Sequence, residues 1–227
     1  MLNFKDFNEQ QLAEKRRSER VGIAKTKELE FGHTAGKAYI QSLKEKGEDL
    51  GRYGITMTKL PKVGINPGSR YNTPIGVYFY PARYYLKRSE LPFEHDANYI
   101  NVIKFKDGAK ILDLGVIEEE DLDTLVSKLS KIYPPEKVQQ YYTESLTEAQ
   151  VLTPAGAFWY ITFKLSDNNS KTWNKIFRQL GYDIVIDTTG EGIIYETETT
   201  QGFLVDPTKA VVVKRFDNFK PKKQSEG

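Results

Sequence analysis

The chain has 227 residues, 39% hydrophobic and 28% charged, with 14 Tyr, 12 Phe and a formal net charge of +2. That is length for one domain or one domain with an extension, and enough aromatic area to exclude a wholly disordered chain. Cysteine is absent, which excludes disulfides and thiolate chemistry, and the two histidines, His33 and His95, are too far apart to suggest a metal site.

No block of like charge is long enough to grip a duplex, so charge does not imply a nucleic-acid partner, and none is expected. No apolar run reaches the roughly 18 residues of a membrane helix. The opening also lacks the apolar core of a secretory signal, so an intracellular-type protein is expected.

The first fifty residues are rich in Glu, Lys, Gln and Ala. They predict a polar helix from Phe7 to about Phe31 and a second from Thr34 to about Lys46, stopped at Gly47. A helix polar nearly all round is exposed or laid against a partner, so residues 1–50 are expected to be an arm. From Tyr53 the texture changes, and "YGITMTKL" has the period-2 pattern of a half-buried strand. "PKVGINPGSRYNTP" is turn chemistry, and "IGVYFYP", "ANYINVIKFK" and "AKILDLG" read as further strands.

"EEEDLDTLVSKLSKIY" puts Leu122, Leu125, Val126, Leu129 and Ile132 on one helical face, acidic at its start and basic at its end. Between Pro134 and Pro154 a helix over Glu136–Tyr142 is favoured. "GAFWYITFKLS" is either an aromatic strand or the start of a helix, since periodicity does not decide. "NSKTWNKIFRQL" is an amphipathic helix with Trp173, Ile176, Phe177 and Leu180 on its apolar face, ended by Gly181.

Beyond it, "GYDIVIDTTGEGIIYETETTQGFLVDPTKAVVV" reads as strand, turn, strand, acidic hinge, strand, turn and strand. Asp187-Thr188-Thr189-Gly190 is its expected hairpin-type turn, and Asp183 is expected to brace a turn. Residues 217–227 are expected to form a basic, loose tail. Helices and strands without regular alternation predict an α+β fold, with its domain at 51–216.

Three stretches, "YGITMTKLPKVGINPGSRYNTPIGVYFYP", "WNKIFRQLGYDIVID" and "ETETTQGFLVD", occur in this order. Together they resemble a domain of phage and mobile-element proteins related to ADP-ribosyltransferases, over about Tyr53 to Val213. The resemblance implies a split β-sheet with surrounding helices and NAD, as substrate, in a cleft between half-sheets. The opening "MLNFKDFNEQ" is similar to the start of tailed-phage proteins, including internal head proteins. "QLAE" matches the Leu-x-Glu pattern cut by prohead proteases. An arm of that kind would meet other virion proteins.

ADP-ribosyl transfer passes through an oxocarbenium-like state, so the protein must orient the ribose and stabilise positive charge. The family supplies Arg or His on a first strand, a hydroxyl residue on a second, and Glu at the entrance of a late strand. Here the resemblance puts Thr56 and Thr58 on the first, where pyrophosphate would need Arg70 or Arg52. Tyr78 and Tyr80 stand on the second, where they either stack on nicotinamide or wedge a core. Thr56 and Thr58 read equally as the solvent face of their strand. Gln201 stands where the Glu is expected, and Glu198, three residues earlier, reaches the same ligand only through an irregular loop.

Two functions follow from the resemblance. One is an NAD-dependent mono-ADP-ribosyltransferase, metal-free, acting on a host protein or RNA in the host cytoplasm. The other is a catalytically inactive structural or virion-associated protein on the same fold. Nucleic-acid binding through the aromatic strands has little support, because basic and aromatic residues are not interleaved.

Overall fold

A computed structural model describes residues 31–60, 62–64, 73–87, 97–147, 153–194 and 200–217. The expected helix over Phe7–Phe31, the chemistry of Arg70 and Glu198, and the tail beyond Asp217 lie outside these residues. Within them the protein is mixed α and β, with six α-helices and seven strands of mixed sense, consistent with the α+β expectation. The helices are α1 (Phe31–Glu45), α2 (Ala82–Tyr85), α3 (Glu119–Ser130), α4 (Pro135–Thr147), α5 (Pro154–Ser166) and α6 (Ser170–Gln179). The strands are β1 (Tyr53–Thr58), β2 (Val77–Pro81), β3 (Tyr99–Phe105), β4 (Ile111–Asp113), β5 (Ile184–Asp187), β6 (Gln201–Leu204) and β7 (Ala210–Asp217).

The chain divides into two compact units, and the boundary falls inside β2, between Tyr78 and Phe79. The larger unit holds 107–209 and the segment ending at Tyr78. Here β4 pairs parallel with β5, and β5 antiparallel with β6. Helices α3 to α6 supply most of the core, with Leu122, Leu125, Val126 and Leu129 buried as the helical period predicts.

At its centre is α5, with nine buried residues from Ala155 to Ser166. A helix covered on every side has no apolar stripe, which is why "GAFWYITFKLS" left strand and helix open. Its ends are nonetheless marked. The Thr153 hydroxyl accepts from the Gly156 amide at 3.2 Å, Pro154 opens the first turn, and Asp167 closes it at φ 51°.

The following helix, α6, starts on Asn169, whose side chain accepts from the Lys171 and Thr172 amides at 3.0 Å each. It ends at Gly181, at φ 88°, where the Tyr182 amide returns to the Phe177 carbonyl. Asp183, expected to brace a turn, instead ties distant segments: its carboxylate accepts from the Lys110 amide, just before β4, at 2.9 Å and lies 3.8 Å from the Lys209 ammonium.

The smaller unit holds β1, β3, β7, the end of β2, and helices α1 and α2. β1 pairs antiparallel with β2 and β3, and β3 antiparallel with β7, with a register shift at Val102/Ile103. Helix α1 differs from the exposed polar helix expected of an arm. Ile40 is fully buried and Leu43 nearly so, in one cluster with Leu50, Tyr53, Ile55, Tyr85 and Ile100. Two apolar residues one turn apart suffice to seat a helix whose average composition is polar. Beyond it Gly47, at φ 78°, ends the turn where the sequence placed a stop.

Candidate functional site

In the larger unit, the carboxyl end of β5 and the start of β6 face each other, with Asp187 in register opposite Gln201. The chain between them was expected to form a hairpin-type turn followed by a strand. Among the described residues it forms neither, and the next strand is β6 itself.

The cause is the Asp187 side chain, which is 1% exposed. One carboxylate oxygen accepts from the Thr189 amide at 3.0 Å and from its hydroxyl. The other accepts from the Ile193 amide at 2.6 Å and the Ile194 amide at 3.3 Å. Amides that a strand ladder would have used are gathered on one buried carboxylate, which needs several donors to offset its desolvation. Alongside, the Thr188 hydroxyl donates to Asp113 at 2.6 Å, tying this loop to the end of β4.

Gln201, at the entrance of β6, is 5% exposed. Two residues on, Phe203 stacks on Tyr78, their ring centroids 5.6 Å apart at 25°. The Tyr78 hydroxyl donates to the Pro74 carbonyl at 2.6 Å. Burial pushes the Tyr78 phenol well above the usual tyrosine range, so it is a neutral donor. Gly76 lets this approach happen, because a Cβ there would stand 2.8 Å from the Leu204 carbonyl oxygen. Tyr78 and the strand that begins at Gln201 are thus brought together.

Two residues that the sequence reading passed over hold the same region. Asn174, 7% exposed, donates to the Ile75 carbonyl at 2.6 Å and the Val205 carbonyl at 3.2 Å. Arg178 donates twice to Val205, at 2.9 and 3.3 Å. Their spacing on α6, one helical turn apart, was the available signal: they form a polar strip beside its apolar face.

Thr56, Thr58 and Tyr80 belong to the smaller unit. Thr56 is 4% exposed, not on a solvent face, and stands in register with Asn101, itself in register with Arg215. The Asn101 side chain donates to the Thr58 hydroxyl at 3.0 Å and accepts from Arg215 at 2.7 Å. Thr58 in turn donates to the Leu60 carbonyl at 2.7 Å. Tyr80 is buried in the cluster with Ile55 and Tyr85. Arg52, the other cation considered for pyrophosphate, donates to the Phe105 carbonyl at 3.1 Å.

Among the described residues, no group of three acidic or histidine side chains is placed to hold a metal ion. No described helix is long and apolar enough to cross a membrane. No family model, curated protein or solved structure matches this chain.

Proposed function

We propose that this is a binding or structural protein of a phage or mobile element, using an ADP-ribosyltransferase-like fold without NAD chemistry. The observation that carries this reading is Tyr78. One ring face lies on Phe203 and its hydroxyl donates to Pro74, so the partly buried side chain that would stack on nicotinamide already packs against the core. The burial of Gln201 supports it further, as does its lack of charge, since glutamine cannot offset an oxocarbenium-like centre. Partners in this reading are other virion proteins, met through the N-terminal segment, and the location is the virion or the host cytoplasm.

The transferase reading is favoured by one observation: Gln201 is the first residue of a late strand, where the resemblance places the family's glutamate. In that case a host protein or RNA is the acceptor, with Glu198 the nearest carboxylate in sequence. Calorimetric titration of the full chain with NAD separates the two, run beside transfer of labelled NAD to host lysate. The binding reading expects no heat up to about 1 mM NAD, the upper end of ordinary substrate affinities. It also expects no label, either from wild type or from Gln201→Glu. Saturable heat with labelling, raised in Gln201→Glu, establishes the transferase instead.

A further inference from the structure

We propose that the outer edge of β7 takes an extended, acidic segment of another polypeptide as an additional strand, whichever reading of Gln201 holds. β7 is eight residues long and, among the described residues, ends the row of strands, hydrogen-bonded to β3 on one side. A strand in that position presents backbone N–H and C=O groups to whatever lies beside it, and only another extended chain satisfies them in series.

Edge strands are ordinarily blunted by shortness, proline, a bulge or charge. β7 runs its eight residues without proline and carries three consecutive β-branched residues. Its protections are the register shift that leaves Val213 as the extra residue and the charges of Lys214 and Arg215. Those charges oppose a like-charged edge and favour an oppositely charged strand. Val211, Val212 and Val213 are 44%, 42% and 38% exposed, so apolar side chains are open on both faces of the strand. At the far end Phe216 is partly buried against Tyr39, which anchors the strand while leaving the valines out.

Charge selects the occupant. Lys214 and Arg215 follow the valines, against one carboxylate within the strand, Asp217. Lys106, just past the end of β3, adds a further cation. An incoming strand with carboxylates beside these positions and small apolar residues against the valines gains cross-strand ion pairs and covers exposed apolar surface. A second copy of this chain would instead bring another Lys214–Arg215 pair to the same edge.

The test uses the full chain and two labelled peptides as long as β7, one alternating valine and glutamate, the other valine and lysine. Fluorescence anisotropy at low salt should show the glutamate peptide binding at least tenfold more tightly, with a Kd at or below about 1 mM. Binding should weaken as salt screens the charges, and bound peptide should slow amide exchange at Val211–Val213. Lys214→Glu, at an exposed position, should remove most of the preference between the peptides while the thermal melt is retained. Equal binding of both peptides, binding of neither, or protection elsewhere overturns the proposal. A dimer in sedimentation, with Val211–Val213 protected before any peptide is added, overturns it in favour of a second copy.

Discussion

Replacing Asp187 by asparagine keeps the shape of the side chain and removes one acceptor oxygen. In the native loop each oxygen has two donors, the amide and hydroxyl of Thr189 on one and the amides of Ile193 and Ile194 on the other. Asparagine can serve only one of these pairs, and its NH2 group then points at the donors of the other. Hydrogen bonds to a charged acceptor contribute about 1.5–3 kcal/mol each, and two are lost. Part of that loss is offset, because the variant no longer buries a charge. The expected net cost is about 2–4 kcal/mol by urea denaturation. Amide exchange should locate it, with Ile193 and Ile194 losing protection ahead of the β5 amides. A change below about 0.5 kcal/mol, within the range of ordinary surface substitutions, refutes the reasoning and shows that the carboxylate does not organise the loop.

Ile40→Ala removes a fully buried side chain from α1 and should cost about 2–4 kcal/mol; a shortened chain beginning at Lys46 that melts as cooperatively as the full one refutes the seating of that helix. Gly76→Ala forces a methyl group against the Leu204 carbonyl and Phe203, at an expected cost of about 1–3 kcal/mol in chemical denaturation. A neutral result there means that β2 and β6 separate freely. Glu48 accepts from the Tyr53 hydroxyl at 2.6 Å and from Lys104 at 3.2 Å, and these contacts hold its carboxyl below the ordinary 4.5. The unfolded chain therefore takes up this proton first, and the contribution is lost as pH falls from about 4.5 through the lower folded value. Glu48→Gln should flatten the stability–pH slope in that window, and an unchanged slope refutes the assignment.

The sequence by itself determined the elements whose burial is one-sided. Helices α3 and α6 each expose one face, so Leu122 to Leu129 and Trp173 to Phe177 recur at helical spacing and mark both element and core. β1 to β4 were legible because turn residues bound them on both sides. Local chemistry also marked where α1 and α6 stop, since Gly47 and Gly181 adopt positive φ that other residues resist.

Tertiary structure alone decided the rest, wherever a residue's environment comes from distant chain. α5 is buried all round, so its period is erased and, beyond its locally marked ends, only its neighbours distinguish it as a helix. The polar average of the first fifty residues hid α1's seat on the sheet, because Ile40 and Leu43 are too few to register as a stripe. Asp187 has the composition of a turn, yet its carboxylate reaches amides six and seven residues on and displaces an expected strand. Asn174 and Arg178 lie off the apolar face of their helix, and only the fold brings the Ile75 and Val205 carbonyls to them. Tyr78 read equally as ligand-stacking or core residue, and its stacking against Phe203, more than a hundred residues later, comes only from the fold. Hydrogen-bond donors, acceptors and ring faces are local properties, whereas the partners that satisfy them are set by the packing of segments far apart in the chain.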